Sequence, residues 1–257
     1  MLVDASEVDA ANSDYRLRVG NQVKYLVIEG GTFHPDVLSF PPNLLPRLLP
    51  LLPPGNWTQA RVARGQDGNP ELQLVHIVLP GVLTLWHPNR VEFLSLKYGD
   101  TWISGVRMVR YDSKLVVAKV ARFDYYIDGL ERETAVYQTI EGRGIRPAFL
   151  GHILEGGRVI GILIELVEGR PAGPGDIQGC CDVLQRLHAL DIAHGDIFRH
   201  NFIVASDGTV KLIDFEMSFP CGRAEVKDQE LATLSSALKE VRGVILPYTS
   251  TQIVPPQ

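Results

Sequence analysis

The stretch HGDIFRHNFIVASDGTVKLIDFE, His194 to Glu216, constrains this chain more than any other. Asp207-Gly208 is a two-residue hairpin signal between two apolar runs, Phe202–Ala205 and Thr209–Ile213. With those two residues as the loop, Ser206 pairs with Thr209, Val204 with Lys211 and Phe202 with Ile213. Asn201 then falls opposite Asp214. Cross-strand neighbours have Cβ atoms about 4.5–5.5 Å apart, so an amide oxygen and a carboxylate are expected to meet at the open end of the hairpin. Hard oxygen ligands of this kind suit Mg²⁺, which takes one or two carboxylates together with phosphate and water. Asp196, in the loop just before, can face the same site.

The remainder of the chain gives this hairpin a globular setting. Hydrophobic residues make up 45% and charged residues 21% of 257 positions, enough for a real core in one or two domains. The net charge of −5 argues against non-specific nucleic-acid binding. Three cysteines, Cys180, Cys181 and Cys221, supply neither a disulfide framework nor a CxxC zinc pair. The start, MLVDASEVDA, is acidic and lacks the apolar run of a signal peptide. The most apolar segment, Leu44–Leu52, is short and broken by Pro46 and Pro50, so it is not expected to span a bilayer. A cytoplasmic or nuclear protein that is not secreted, with no membrane and no nucleic-acid partner, is the expectation.

Strand-like runs dominate the first part of the chain. Val23–Glu29 is one; Trp57–Arg64 and Glu71–Val78 flank the turn GQDGNP. The proline-rich piece Phe40–Pro54 reads as an ordered packing segment. Val91–Leu96, Ser104–Tyr111 and Lys114–Val120 read as three further strands. A helical period begins near Asp128, with Leu130, Val136, Tyr137 and Ile140 on one side. Within it Glu133 stands three, four and seven residues before Val136, Tyr137 and Ile140, which suits an inward glutamate; Glu131 is the rival and reads as exposed. The strand pair Ala148–Leu154 and Arg158–Val167 follows around EGG. A helix to Leu190 with Asp176 as its N-cap comes next, and a last helix over Val226–Val241. Strands first, then a helical half, make an α+β outline in two lobes.

Asp196, Asn201 five residues on and the Asp-Phe pair at Asp214 together resemble the catalytic pattern of the protein-kinase-like superfamily. VVAKV, Val116–Val120, resembles that superfamily's Val-Ala-x-Lys strand, and ILIELVEG, Ile162–Gly169, its hinge. DFE resembles choline and ethanolamine kinases, whereas HGD with LQRLH resembles aminoglycoside phosphotransferases and compact atypical protein kinases. The chain also resembles, over nearly its whole length, a group of fungal kinase-like proteins, through LLPPGNWTQARVAR, LPGVLTLWHP, VVAKVARF and RVIGILIELVEGR.

This resemblance implies an ATP- and Mg²⁺-dependent phosphotransferase acting on a hydroxyl acceptor, either a small molecule or a specific protein partner. Asp196 would orient and deprotonate the acceptor, and Lys119, held by Glu133, would position the nucleotide. Asn201 and Asp214 would hold the metal. Ile164 would be the gatekeeper, with backbone groups of Glu165 and Val167 bonding adenine. Residues 1–90 would be a β-rich extension packed on the small lobe, 91–167 the small lobe and 168–257 a truncated helical large lobe ending in a tail, LPYTSTQIVPPQ.

The pattern departs from the superfamily in several places. The phosphate-loop position, YGDTWISGV at Tyr98–Val106, holds only Gly99 and Gly105, so backbone amides approach phosphate less freely. Glu216 stands where a glycine is usual and is either a second carboxylate at the metal or a surface acid. Phe198 replaces the usual lysine two residues after Asp196; Arg199 either substitutes for it or is exposed. The alternatives are a pseudokinase, binding nucleotide or a partner without turnover, and an atypical Ser/Thr protein kinase.

Overall fold

The computed structural model describes residues 2–5, 11–103 and 105–240; Ser104, Val241 and the expected tail lie outside the described residues. The fold is mixed α+β. It divides into two compact units at Pro80–Gly81, earlier than the residue-90 boundary read from the pattern.

In the first unit, β1 (Leu2–Ala5), β2 (Asn12–Val19), β3 (Gln22–Glu29), β4 (Gln59–Arg64) and β5 (Pro70–Val75) form one sheet in that order. Only β3 and β4 pair in parallel. Gly20, at φ 61°, makes the tight β2–β3 turn, a left-handed conformation that glycine adopts without strain. Alternate residues Tyr15, Leu17, Leu26, Ile28, Ala60 and Val62 line one face. The β3–β4 crossover supplies the cover, with α1 (Pro35–Leu38) and α2 (Pro41–Leu48). The proline-rich segment is thus helical. Pro41 and Pro42 occupy the first turn, where a missing N–H is harmless, and Leu44 and Leu48 share the buried face one turn apart.

The second unit contains β6 (Arg90–Glu92), β7 (Lys97–Ile103), β8 (Val106–Tyr111), β9 (Lys114–Val120), β10 (Phe149–Glu155) and β11 (Arg158–Glu165). Their order in the sheet is β6-β10-β11-β9-β8-β7. The run Val91–Leu96 stays extended only through Glu92 and then makes a 3₁₀ turn. Gly156 and Gly157, at φ 60° and 85°, close the β10–β11 hairpin as the two left-handed positions of a tight turn. Helix α3 (Ile127–Thr139) joins β9 to β10 and packs on β11.

Beyond the sheet come β12 (Gly169–Pro171), α4 (Ile177–His188), β13 (Ile192–Ala193), β14 (Phe202–Ala205), β15 (Val210–Leu212), β16 (Phe219–Pro220) and α5 (Ala224–Ala237). β12, β14 and β15 form a small sheet against α4, and β13 pairs with β16. One apolar core runs from Leu130, Tyr137 and Phe149 through Ile162 to Leu184, Phe202 and Phe215. Asp176 stands at the N-cap of α4, but its carboxylate accepts the Gly173 amide and pairs with Arg170 rather than capping the helix. No helix among the described residues is long and apolar enough to cross a membrane.

The β14–β15 hairpin forms one register away from the expected one. Phe202 pairs with Leu212, Ile203 with Lys211 and Val204 with Val210. The reason is the turn. Ala205 N–H donates to the Thr209 carbonyl, leaving Ser206, Asp207 and Gly208 as a three-residue loop with Gly208 at φ 83°. Asn201 consequently lies opposite Ile213, whose N–H donates to the Asn201 carbonyl, and not opposite Asp214.

Candidate active site

Strand β9 is interior, flanked by β8 and β11, and Val116 through Val120 are all buried. Lys119, between Val106 and Ile162 in register, is therefore carried into the core on its strand. A buried ammonium needs compensation. It finds three carboxylates: Glu133 Oε2 at 2.7 Å, Asp214 Oδ1 at 2.6 Å and Glu216 Oε1 at 3.0 Å. The contact with Asp214 is an aligned hydrogen bond; that with Glu133 is ionic without such alignment.

Glu133 reaches this point because Val136, Tyr137 and Ile140 hold its face of α3 against the core, and its side chain is 1% exposed. It also accepts the Phe215 amide. Asp214 sits at φ 66°, a left-handed conformation that aspartate tolerates better than most residues. Glu216, two residues on, faces Lys119 while its backbone carbonyl accepts Arg132 Nε at 2.8 Å. It is thus part of the cluster, with 41% of its side chain exposed.

One cation faces three acids, and the titrations follow. Burial alone would lower the Lys119 pKa, but Glu133, Asp214 and Glu216 drive it well above its ordinary value. Burial pushes Glu133 up to about 7, against the opposing pull of Lys119. Asp214 is held below the usual carboxylate range because the Lys119 charge and hydrogen bond outweigh its burial.

The loop after β13 carries the second half of the site. Asp196 is exposed, and its carboxylate Oδ2 and its backbone carbonyl accept Asn201 Nδ2 at 2.9 and 3.0 Å. Asp196 N–H reaches His194 Nδ1, and His194 Nε2 contacts the Ile213 carbonyl at 3.1 Å. Burial lowers the His194 pKa, so the ring is neutral and spans the loop and the hairpin. Gly195, at φ 81°, lies against Met217; a Cβ there would run into the Met217 carbonyl oxygen and come within 2.8 Å of its carbon. Only glycine allows this crossing.

Sequence reasoning missed the acid beneath this loop. Glu230 of α5 accepts the amides of His194 at 3.1 Å and Gly195 at 2.7 Å, and contacts His188 Nε2 at 2.6 Å. Those contacts overcome its burial and lower its pKa. The available signal was its place on the apolar stripe, one and two turns before the buried Leu234 and Ala237.

No protein-family model matches the chain, and no curated protein matches it.

The remaining expected residues are distributed as follows. Ile164 is buried, in register with Val117 on one side and Phe149 on the other. Glu165 spends both its N–H and its carboxylate on Ala148, and Val167 is buried just beyond. Gly99 lies within β7, at the irregular step of the β7–β8 pairing between Tyr98 and Trp102. Gly105, at φ 84°, closes on the Val120 carbonyl and joins Lys119, Arg122, Tyr126, Leu130 and Glu216 around a cavity of about 130 Å³. Arg199 is half-buried, with Nε on the Ala172 carbonyl. Glu131, expected to be exposed, is half-buried and bonded across to Leu83 and Thr84.

Among the described residues, Glu133, Asp214 and Glu216 offer carboxylate oxygens within 4.8 Å of one another. Asp196 is not in this group. The donor set fits a hard divalent cation, since two of the three acids are partly exposed and all ligand atoms are oxygen. Asn201 turns its amide nitrogen to Asp196, leaving its oxygen as the group able to bind metal.

Proposed function

We propose that the second unit takes a protein-kinase-like fold and acts as an ATP-dependent phosphotransferase toward a hydroxyl acceptor. The observation that carries this reading is the convergence on Lys119. A strand lysine, a glutamate of the following helix and the aspartate after a distant hairpin meet within 3 Å of one ammonium. Neither chain proximity nor core packing alone requires that meeting. A solvated lysine would cost less than a buried one surrounded by acids.

In this reading Lys119, held by Glu133, orients the nucleotide phosphates. Asp214 and Glu216, with the Asn201 amide oxygen, would hold Mg²⁺, which neutralises phosphate charge when bound. Asp196 stands exposed on a loop fixed from below, oriented by Asn201 and able to accept the proton of an acceptor hydroxyl. Catalysis of this kind is positioning and electrostatic stabilisation.

Two observations favour a pseudokinase as the second reading. The β7–β8 position has few glycines, and Lys119 is already surrounded by three of the chain's own acids. Thermal unfolding with ATP, with Mg²⁺ and with both separates these cases when followed by an ATPase assay. The expected result is stabilisation by Mg–ATP beyond that of either alone, lost in Asp214→Ala. Equal stabilisation of parent and Asp214→Ala would overturn the assigned clamp. Binding without turnover would select the pseudokinase.

A further inference from the structure

Three consecutive residues of α3 hold three different segments. Glu133 pairs with Lys119 of β9, and Arg132 Nε donates to the Glu216 carbonyl. Glu131 accepts the amides of Leu83 at 2.6 Å and Thr84 at 3.2 Å, and the Thr84 hydroxyl as well. Successive helical residues are turned by about 100°, so the three attachments are spread around the helix axis. A helix tied on one side can still roll; one tied at three bearings cannot roll without breaking at least one of them.

The segment that meets Glu131 is itself anchored. Residues 81–89 have no regular secondary structure, yet Val82 is buried and its N–H donates to the Val159 carbonyl of β11. Trp86 packs on Phe149 with ring centroids 4.7 Å apart. Asn89 Nδ2 donates to the Leu150 carbonyl at 2.6 Å. The amides of Leu83 and Thr84 are therefore presented from a strap fixed to β10 and β11, and one oxygen of the Glu131 side chain accepts both.

We infer that Glu131 is a positioning residue: through the strap at residues 81–84 it sets the rotation of α3 that directs Glu133 onto Lys119. This inference deepens the phosphotransferase reading and rests on it for its link to nucleotide. Its mechanical part, that the strap holds α3, stands apart from any ligand. Glu131 touches neither Lys119 nor the other members of the acidic cluster among the described contacts, so it acts through the helix.

The test uses the full chain in two measurements. In nucleotide-free protein, Glu131→Ala is expected to speed hydrogen exchange of the α3 amides by about tenfold or more, reflecting easier local opening. At a temperature where both proteins are folded, its Mg–ATP dissociation constant is expected to rise by about three- to tenfold. Glu131→Gln, which keeps one carboxyl-like acceptor, should fall between parent and alanine in both. A loss of melting temperature with unchanged exchange in α3 and unchanged Mg–ATP affinity would reduce Glu131 to a structural role and overturn the inference. Faster exchange with unaltered affinity would overturn it too. Should Glu131→Ala fail to fold, Glu131→Gln and Thr84→Val carry the same comparison with smaller expected changes. If the parent binds no Mg–ATP, the phosphotransferase reading fails, and exchange in α3 alone decides whether the strap holds the helix.

Discussion

Around Lys119, positions are set by charge. Side chains from β9, α3 and the segment after the hairpin are drawn together although 95 residues separate Lys119 from Asp214. Around Asp196, positions are set by backbone: amides of His194 and Gly195 on Glu230, a glycine crossing beneath Met217, and an amide side chain gripping its own loop. The first arrangement is tunable by protonation. The second is a matter of fit, and leaves its key carboxylate in solvent. In the phosphotransferase reading proposed above, the group that would hold a highly charged ligand and the group that would meet an acceptor thus receive different kinds of support.

That contrast breaks most severely at Gly195. Gly195→Ala adds a clash with the Met217 carbonyl to a left-handed backbone, and is expected to destabilise the protein by about 3 kcal/mol or more, read as a lowered midpoint in denaturant. A midpoint within error of the parent would mean the loop is not set by fit. Asp196→Asn sharpens the contrast from the functional side. Turnover should drop by about a hundredfold or more while Mg–ATP affinity stays at the parental level, because the Lys119 cluster is untouched. Matching losses of affinity and turnover would join the two regions into one.

The smallest effect concerns pH. Glu133 is pushed up to about 7 in the folded protein from an ordinary value of 4.5, so the folded state holds its proton more tightly than the unfolded one. Stability from this group is present below its ordinary value and is lost as pH rises toward 7. Between pH 5 and 7 the melting temperature of the parent should therefore fall by a few degrees relative to Glu133→Gln, which carries no titrating proton. Parallel curves for the two proteins would show that burial does not raise Glu133.

Much of this was legible in local pattern. Lys114–Val120 read as a strand, and Glu133 as an inward glutamate because helical periodicity reports which face is covered. The β14–β15 hairpin was legible in kind but not in register. Asp207-Gly208 signals a two-residue loop, and the same pair serves a three-residue loop once Ala205 bonds to Thr209. One step of slip moved Asn201 from Asp214 to Ile213. Glu131 looked exposed because its partners lie 47 and 48 residues away in a segment without periodicity. Nothing in α2 signalled a helix to a reader who takes prolines as breakers, yet two of them fill the first turn.

In the proposed phosphotransferase reading, the three acids around Lys119 have a consequence for any measured nucleotide affinity. Its ammonium has three N–H bonds and three carboxylates around it, so an incoming phosphate oxygen competes with the chain's own acids. Glu133 is sealed in the core, whereas Asp214 and Glu216 keep 44% and 41% of their side chains in solvent and are the ones able to swing away. Apparent affinity is intrinsic affinity scaled by the fraction of molecules in which the lysine has been released. A cation that draws Asp214 and Glu216 aside raises that fraction, and dissociation constants for nucleotide taken at two magnesium concentrations would then describe two differently populated receptors.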